Sequence, residues 1–306
     1  MKFSLLISAS AGALLVASAS GALAGSPPPP PAAVPSISDG FVSLAIAGDQ
    51  LTFTGGGESE SIDGLSIEGA ASGSYMFSST LGFQGDLVLN QNTYSNSDFF
   101  FGPSSLTNRN AEVALHGFYR NDQYLVGGFA QYGNESFSFE DAGAFGVTLD
   151  HYYAGVEGQV FLGDATFYGQ VGAQQFKAGG QSINGWFGTF EARYFLQPDF
   201  KIDAHIGADS FDYSVEEPGL TLNSWHAGVG AEYRFTGTPF SVFAKYDYTQ
   251  QSFSLSGPPT SSDNRILVGA KFNFDTPTLL DRDRSGASLK PVESSLGLLS
   301  LIGFVP

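Results

Sequence analysis

The chain is 306 residues long, carries a formal net charge of −17 and has no cysteine. The acidic balance argues against nucleic acid, which calls for basic surface, and the absence of cysteine excludes a disulfide framework. Charged residues make up only 14 % against ~25 % in ordinary soluble domains, while glycine (39) and phenylalanine (28) abound, so the chain is short of charge for one that meets water on every side.

Residues 1–24 read as a secretory signal peptide. Lys2 is the lone charge, an apolar stretch covers 5–16, and Ala22-Leu23-Ala24 forms an A-x-A cleavage site near Ala24. Residues 25–39 contain the run Pro27 to Pro31 and then Pro35, the composition of an extended periplasmic linker. No later stretch is long and apolar enough to cross a bilayer as a helix of ~20 residues.

Residues 40–274 alternate with period two, the signature of strands. In 41–53 the alternation is weak. Val42, Leu44 and Ile46 share one face, Leu51 and Phe53 fall on the other, and a bulge at Gly48-Asp49 would reconcile them. Clearer strands follow over 64–77, 80–93, 110–120, 123–133, 150–162, 165–176, 185–196, 199–210, 222–236, 239–252 and 264–274. Segment 225–235 shows the scheme best, with Trp225, Ala227, Val229, Ala231, Tyr233 and Phe235 opposing His226, Gly228, Gly230, Glu232 and Arg234.

Short connections at 78–79, 121–123, 163–164, 197–199 and 237–239 alternate with longer polar ones at 55–61, 95–109, 138–148, 179–183, 214–220 and 257–263. Aromatics such as Tyr75, Phe83, Tyr119, Phe240 and Phe272 cluster beside the short turns, and Tyr132, Tyr152, Trp186, Trp225 and Tyr246 lie nearer the long loops. Small and aliphatic residues fill the band between. The pattern predicts an all-β fold, a transmembrane antiparallel up-and-down β-barrel with an aromatic girdle at each edge. Twelve strands close it, with ten as the fallback, and twelve puts both termini at the short-turn side.

The chain thus resembles the porin-like outer-membrane β-barrels of Gram-negative bacteria over residues 41–274. The last strand ends Gly269-Ala270-Lys271-Phe272-Asn273-Phe274, similar to the signal read by the barrel-assembly machinery, a glycine followed by spaced aromatics. It departs from that pattern at Leu267, where a polar residue is usual, and in the residues 275–306 that follow. The resemblance implies a bacterial outer-membrane location, with outer-membrane lipid, the assembly machinery and small solutes as partners, and no cofactor.

The later strands place charges on the inward face: Glu191, Arg193, Lys201, Asp203, His205, Asp209, Glu232, Arg234, Lys245, Asp247, Arg265 and Lys271. Folding at 197–199 sets Arg193 opposite Asp203, and folding at 237–239 sets Glu232 opposite Lys245. Earlier strands present mostly neutral groups, among them Gln84, Gln131, Gln159, Gln170 and Gln174. Either the charges line a water-filled pore or they pair and fill the lumen. Inward glycines such as Gly207, Gly228 and Gly230 leave space for the first reading, passive diffusion of small hydrophilic solutes. The alternative is a closed structural or adhesive barrel acting through its external loops.

Phe99, Phe100 and Phe101 form a candidate constriction loop, or else pack on the rim or touch lipid. The tail, 275–306, is read as a periplasmic extension. It plugs the barrel from below, lies on the membrane, binds a partner or stays poorly ordered. No Ser-His elbow, H-E-x-x-H or phosphate loop occurs, and the acidic segments Glu58-Ser59-Glu60, Glu140-Asp141 and Glu216-Glu217 read as solvated loop rather than cation ligands, so the expected protein is not an enzyme and holds no metal.

Overall fold

In the computed structural model the described residues are 36–55, 58–96, 104–140, 145–212, 221–254 and 260–293. They form twelve antiparallel strands: β1 (Ser36–Gly55), β2 (Glu58–Met76), β3 (Leu81–Asn96), β4 (Ser104–Arg120), β5 (Tyr124–Glu140), β6 (Phe145–Leu162), β7 (Ala165–Ala178), β8 (Gln181–Gln197), β9 (Phe200–Asp212), β10 (Thr221–Arg234), β11 (Phe240–Phe253) and β12 (Thr260–Phe274). Each pairs with its sequence neighbours, and β1 pairs with β12 to close the barrel. A short helix, α1 (Leu279–Ser285), follows the last strand. The signal peptide, most of the Pro-rich linker, Phe99, Phe100, Phe101, Glu216, Glu217 and 294–306 lie outside the described residues.

Lipid contact accounts for the outer face. Leu44 (64 % exposed), Leu65, Leu115, Val156 and Ile266 stand outward, a continuous apolar surface that a soluble protein would have to cover. At the turn end, Tyr75, Phe77 and Phe83 pack ring to ring, as do Tyr119 with Tyr124 and Phe240 with Phe272. At the loop end, Tyr132 stacks near Tyr152, and Trp225 near Tyr248. Their polar tips find partners there, with Tyr132 donating to Asp150 and the Trp225 indole to Gln250. Both girdles are thus in place, and an apolar body with a wet tip is what the interface favours.

The strands are longer than expected. They run 13 to 20 residues, whereas ~9–11 cross a membrane. Much of the expected loops at 95–109, 138–148 and 257–263 is therefore strand, because backbone groups continue to pair beyond the lipid. The expected loop at 179–183 is a two-residue turn. Gly179 and Gly180 take φ of 56° and 85°, the left-handed pair that joins twisted strands tightly.

β1 corrects two expectations. It begins at Ser36, inside the segment assigned to the linker, and Ser36 and Ile37 pair with Met76 and Tyr75. No bulge occurs at Gly48-Asp49, and the register runs unbroken from Asp39 to Gly55. Leu51 and Phe53 therefore point inward. They join Ile62, Tyr94, Leu106, Phe137 and Leu149 in an apolar cluster inside the barrel at the loop end. A second cluster gathers Phe129, Tyr153, Phe176, Phe187, Phe211 and Leu222, and a third Phe118, Leu125, Phe161 and Tyr168. The lumen is thus layered, with apolar packing between the neutral and charged groups expected there.

Candidate pore and its internal plug

The chain turns back into the barrel after β12. Asp275 takes φ 66°, a left-handed conformation that Asp tolerates better than most residues, and redirects the backbone. Thr278 caps α1 by accepting from the Asp281 N–H at 3.0 Å. The Asp281-Arg282-Asp283-Arg284 run then spends each side chain on a contact. Arg282 donates to both oxygens of Glu232, at 3.1 and 3.0 Å. Asp283 accepts from Arg193 at 2.7 Å. Arg284 donates to the carbonyls of Gly163 and Ala165 at the β6–β7 turn and lies over the Phe161 ring.

Beyond α1 the segment 286–293 rises as extended chain through the lumen, and inward glutamines hold its backbone. Gln84 donates to the Leu289 carbonyl (2.8 Å) and accepts from the Leu289 N–H (3.1 Å). Gln131 treats Val292 the same way, at 3.0 and 2.7 Å. Gln159 donates to the Ser288 carbonyl and Gln170 to that of Lys290. Arg120 reaches the Gly286 carbonyl and the Ser288 hydroxyl. An amide side chain matches a peptide in donor and acceptor, so each two-way contact satisfies a buried backbone unit as a strand neighbour would. Leu289 and Val292 insert into the apolar clusters. Of the readings open for the tail, the plug is the one seen over 275–293, inside the barrel rather than as an extension below it. The glutamines that hold its backbone lie 120 to 205 residues away in sequence.

The expected charges sort into two groups. Lys201, Asp203, His205, Glu232, Lys245, Asp247, Arg265 and Lys271 line a lumen cavity of 390 Å³. Glu191, Arg193 and Arg234 do not. Arg193 stands opposite Asp203 in register, but its guanidinium pairs with Glu191 and the plug's Asp283. Glu232 stands opposite Phe243 rather than Lys245, and pairs with Lys271 and Arg282. Arg234 donates to the Thr238 carbonyl and holds the β10–β11 turn. The missed neighbours are the glutamines and Arg120. Their inward parity was visible, but nothing marked their partner as the chain's own tail.

The inward glycines make room for side chains rather than for water. A Cβ at Gly228 would strike Asp247 and His205, and one at Gly230 would strike Asp203. Lys245 sits between Asp247 (3.3 Å) and Glu293 (2.5 Å). Burial works against the Glu293 charge, but Lys245, His205 and Lys290 outweigh it and hold this carboxyl well below the usual range. His205, Asp247 and Glu293 come close enough to share a metal ion, but the Lys245 ammonium already occupies that corner.

No family model matches the sequence, and no curated protein matches it. In structure, the barrel is similar to an outer membrane channel of Pseudomonas putida F1, at TM-score 0.51 and 11 % identity, covering 82 % of this chain and 100 % of that one. It is also similar to the translocator domain of the autotransporter NalP from Neisseria meningitidis, at TM-score 0.49 and 15 % identity, covering 76 % of this chain and 88 % of that one. At these identities the likeness is one of fold. The chain has the architecture of the outer-membrane β-barrels.

Proposed function

We propose that this protein is an outer-membrane channel for small hydrophilic solutes, closed at rest by its own C-terminal segment. The observation that carries this reading is the 390 Å³ charged cavity lying beside a plug held mainly by hydrogen bonds and ion pairs. A barrel built only to be solid gains nothing from threading an irregular segment through its lumen and leaving charged space beside it. When the plug leaves, these groups exchange their bonds for bonds to water, which lowers the cost of opening. In this reading the signal peptide, cleaved near Ala24, exports the chain, the assembly machinery inserts it, and the turn end faces the periplasm. No cofactor and no catalytic step takes part.

Ten carboxylates line the cavity against four lysines and one arginine, so the open path should prefer cations. The reversal potential of the refolded protein in a planar bilayer, under a tenfold salt gradient, reads this preference. A cation-selective potential is expected, and an anion-selective one counts against the cavity as the path.

A second reading has its own support. Three apolar clusters occupy much of the lumen, as in a barrel that is closed for good. Folded protein in liposomes that admits no small sugar with the plug released would favour that reading, and with it a role for the external loops.

A further inference from the structure

The cavity wall is asymmetric. On the side of β9, β10, β11, the turn end of β12 and the plug, the carboxylates of Asp203, Glu232, Asp247 and Glu293 are matched by Lys201, Lys245, Lys271 and Lys290. Wherever carboxylates converge there, an ammonium closes the cluster. Lys245 lies between Asp247 and Glu293, and Lys271 is 3.0 Å from Glu232. The opposite wall lacks this match. An arc from the loop end of β12 across β1, β2, β4 and β5 carries Asp263, Asp49, Glu68, Glu112 and Glu135, and its one lysine or arginine among the described residues is Arg265; Asp86 on β3 lies against His116. Arg265 reaches Glu68 at 3.0 Å and Asp49 at 3.4 Å. It does not serve the far end of the arc.

That far end is built to receive donors. Glu135 is 4 % exposed, and its Oε1 accepts from Asn108 at 2.7 Å. The residue lines the cavity, and its Oε2 is buried with no hydrogen-bond partner among the described residues. Asn108 and Asn110 turn their amino groups to Glu135 and Glu112, which leaves both carbonyl oxygens without a donor. Asn92 Oδ1 and Asp263 Oδ1 lack one too. A row of buried acceptors with no donor is costly unless a ligand brings the donors. The acceptors are spread across neighbouring strands, and no three arc carboxylates converge as His205, Asp247 and Glu293 do. A single dehydrated metal ion would therefore not satisfy them.

We propose that this arc binds an extended organic cation with amine N–H donors spaced along an aliphatic chain, the diamine and polyamine class. One ammonium sits on Glu135 Oε2 with the Asn108 and Asn110 carbonyls, as Lys245 sits on Asp247 and Glu293. The chain then follows the arc toward Asp49 and Asp263. This inference names the solute class of the channel proposed above and rests on that reading.

Isothermal titration of the refolded full-length protein in detergent micelles tests it, with spermidine as probe and calcium chloride and glucose as comparisons. Saturable spermidine binding is expected, with none for glucose. Glu135→Gln, which keeps the shape and the Asn108 contact, should weaken it by about tenfold or more, as should Asp49→Asn. Asp122→Asn, in an exposed turn, removes the same charge and should change nothing, which separates the site from the bulk field. No saturable binding by folded protein, equal binding by Glu135→Gln and Asp122→Asn, or calcium binding in place of spermidine would each overturn the proposal. Conductance without spermidine binding would sink the arc and leave the channel standing. Spermidine binding without conductance would do the reverse.

Discussion

Glu293 is the plug's last described charge; half of its side chain is exposed, and Lys245, His205 and Lys290 around the carboxylate hold it ionised. A carboxyl held below its ordinary value of 4.5 stabilises the docked state at pH above that value and loses the contribution as pH falls through the lower one. Native protein should therefore melt higher than Glu293→Gln from pH 7 down to about 5, with a constant gap. Below that the gap should narrow. A gap that widens toward pH 3 would mean that Glu293 is not held in this way. Residues of this kind show how far the sequence could be read. Inward parity places Gln84, Gln131, Lys245 and Asp247 on the lumen face. Parity cannot say that two of them meet a peptide and one a carboxylate far along the chain, because an amide bonds equally well to water.

Strands and turns were the legible elements, since period two and turn chemistry act over a few residues. The barrel, its twelve strands and both girdles follow from the alternation in segments such as 225–235. Two departures have separate causes. Leu51 and Phe53 were assigned outward by their apolar character, but they lie where the inner wall also packs hydrophobically, so hydrophobicity there no longer marks the lipid side. The turn at Gly179-Gly180 was read as a long loop because Gly, Gln and Ser are ordinary loop residues. Its two positive φ values now make a prediction. Gly180, at 85°, has open space around it, so backbone conformation alone should govern a substitution. Gly180→Val should destabilise the β7–β8 hairpin by roughly 1–2 kcal/mol, read as a lower urea midpoint with unchanged slope. A wild-type midpoint would show that the turn adopts another conformation in the membrane.

At the scale of the whole molecule, the outer surface answers to lipid and the interior to the chain's own end. The outer surface could be read because lipid imposes one rule on every strand. The interior could not, because the plug's contacts join segments far apart in sequence: Arg193 with Asp283, Gln84 with Leu289, Gln131 with Val292. A channel closed at rest needs a plug that can leave the lumen. The most direct test is single-channel recording of the full-length chain beside a Gln84→Ala, Gln131→Ala double variant, with plug position read independently. The chain has no cysteine, so a thiol introduced by Val292→Cys, at a buried plug position, reacts with a membrane-impermeant maleimide only when the plug leaves. Native protein should stay mostly closed with slow labelling. The double variant should label fast and pass discrete, reproducible current steps. Fast labelling of folded protein that carries no current would contradict the account, because the lumen would then be sealed without its plug.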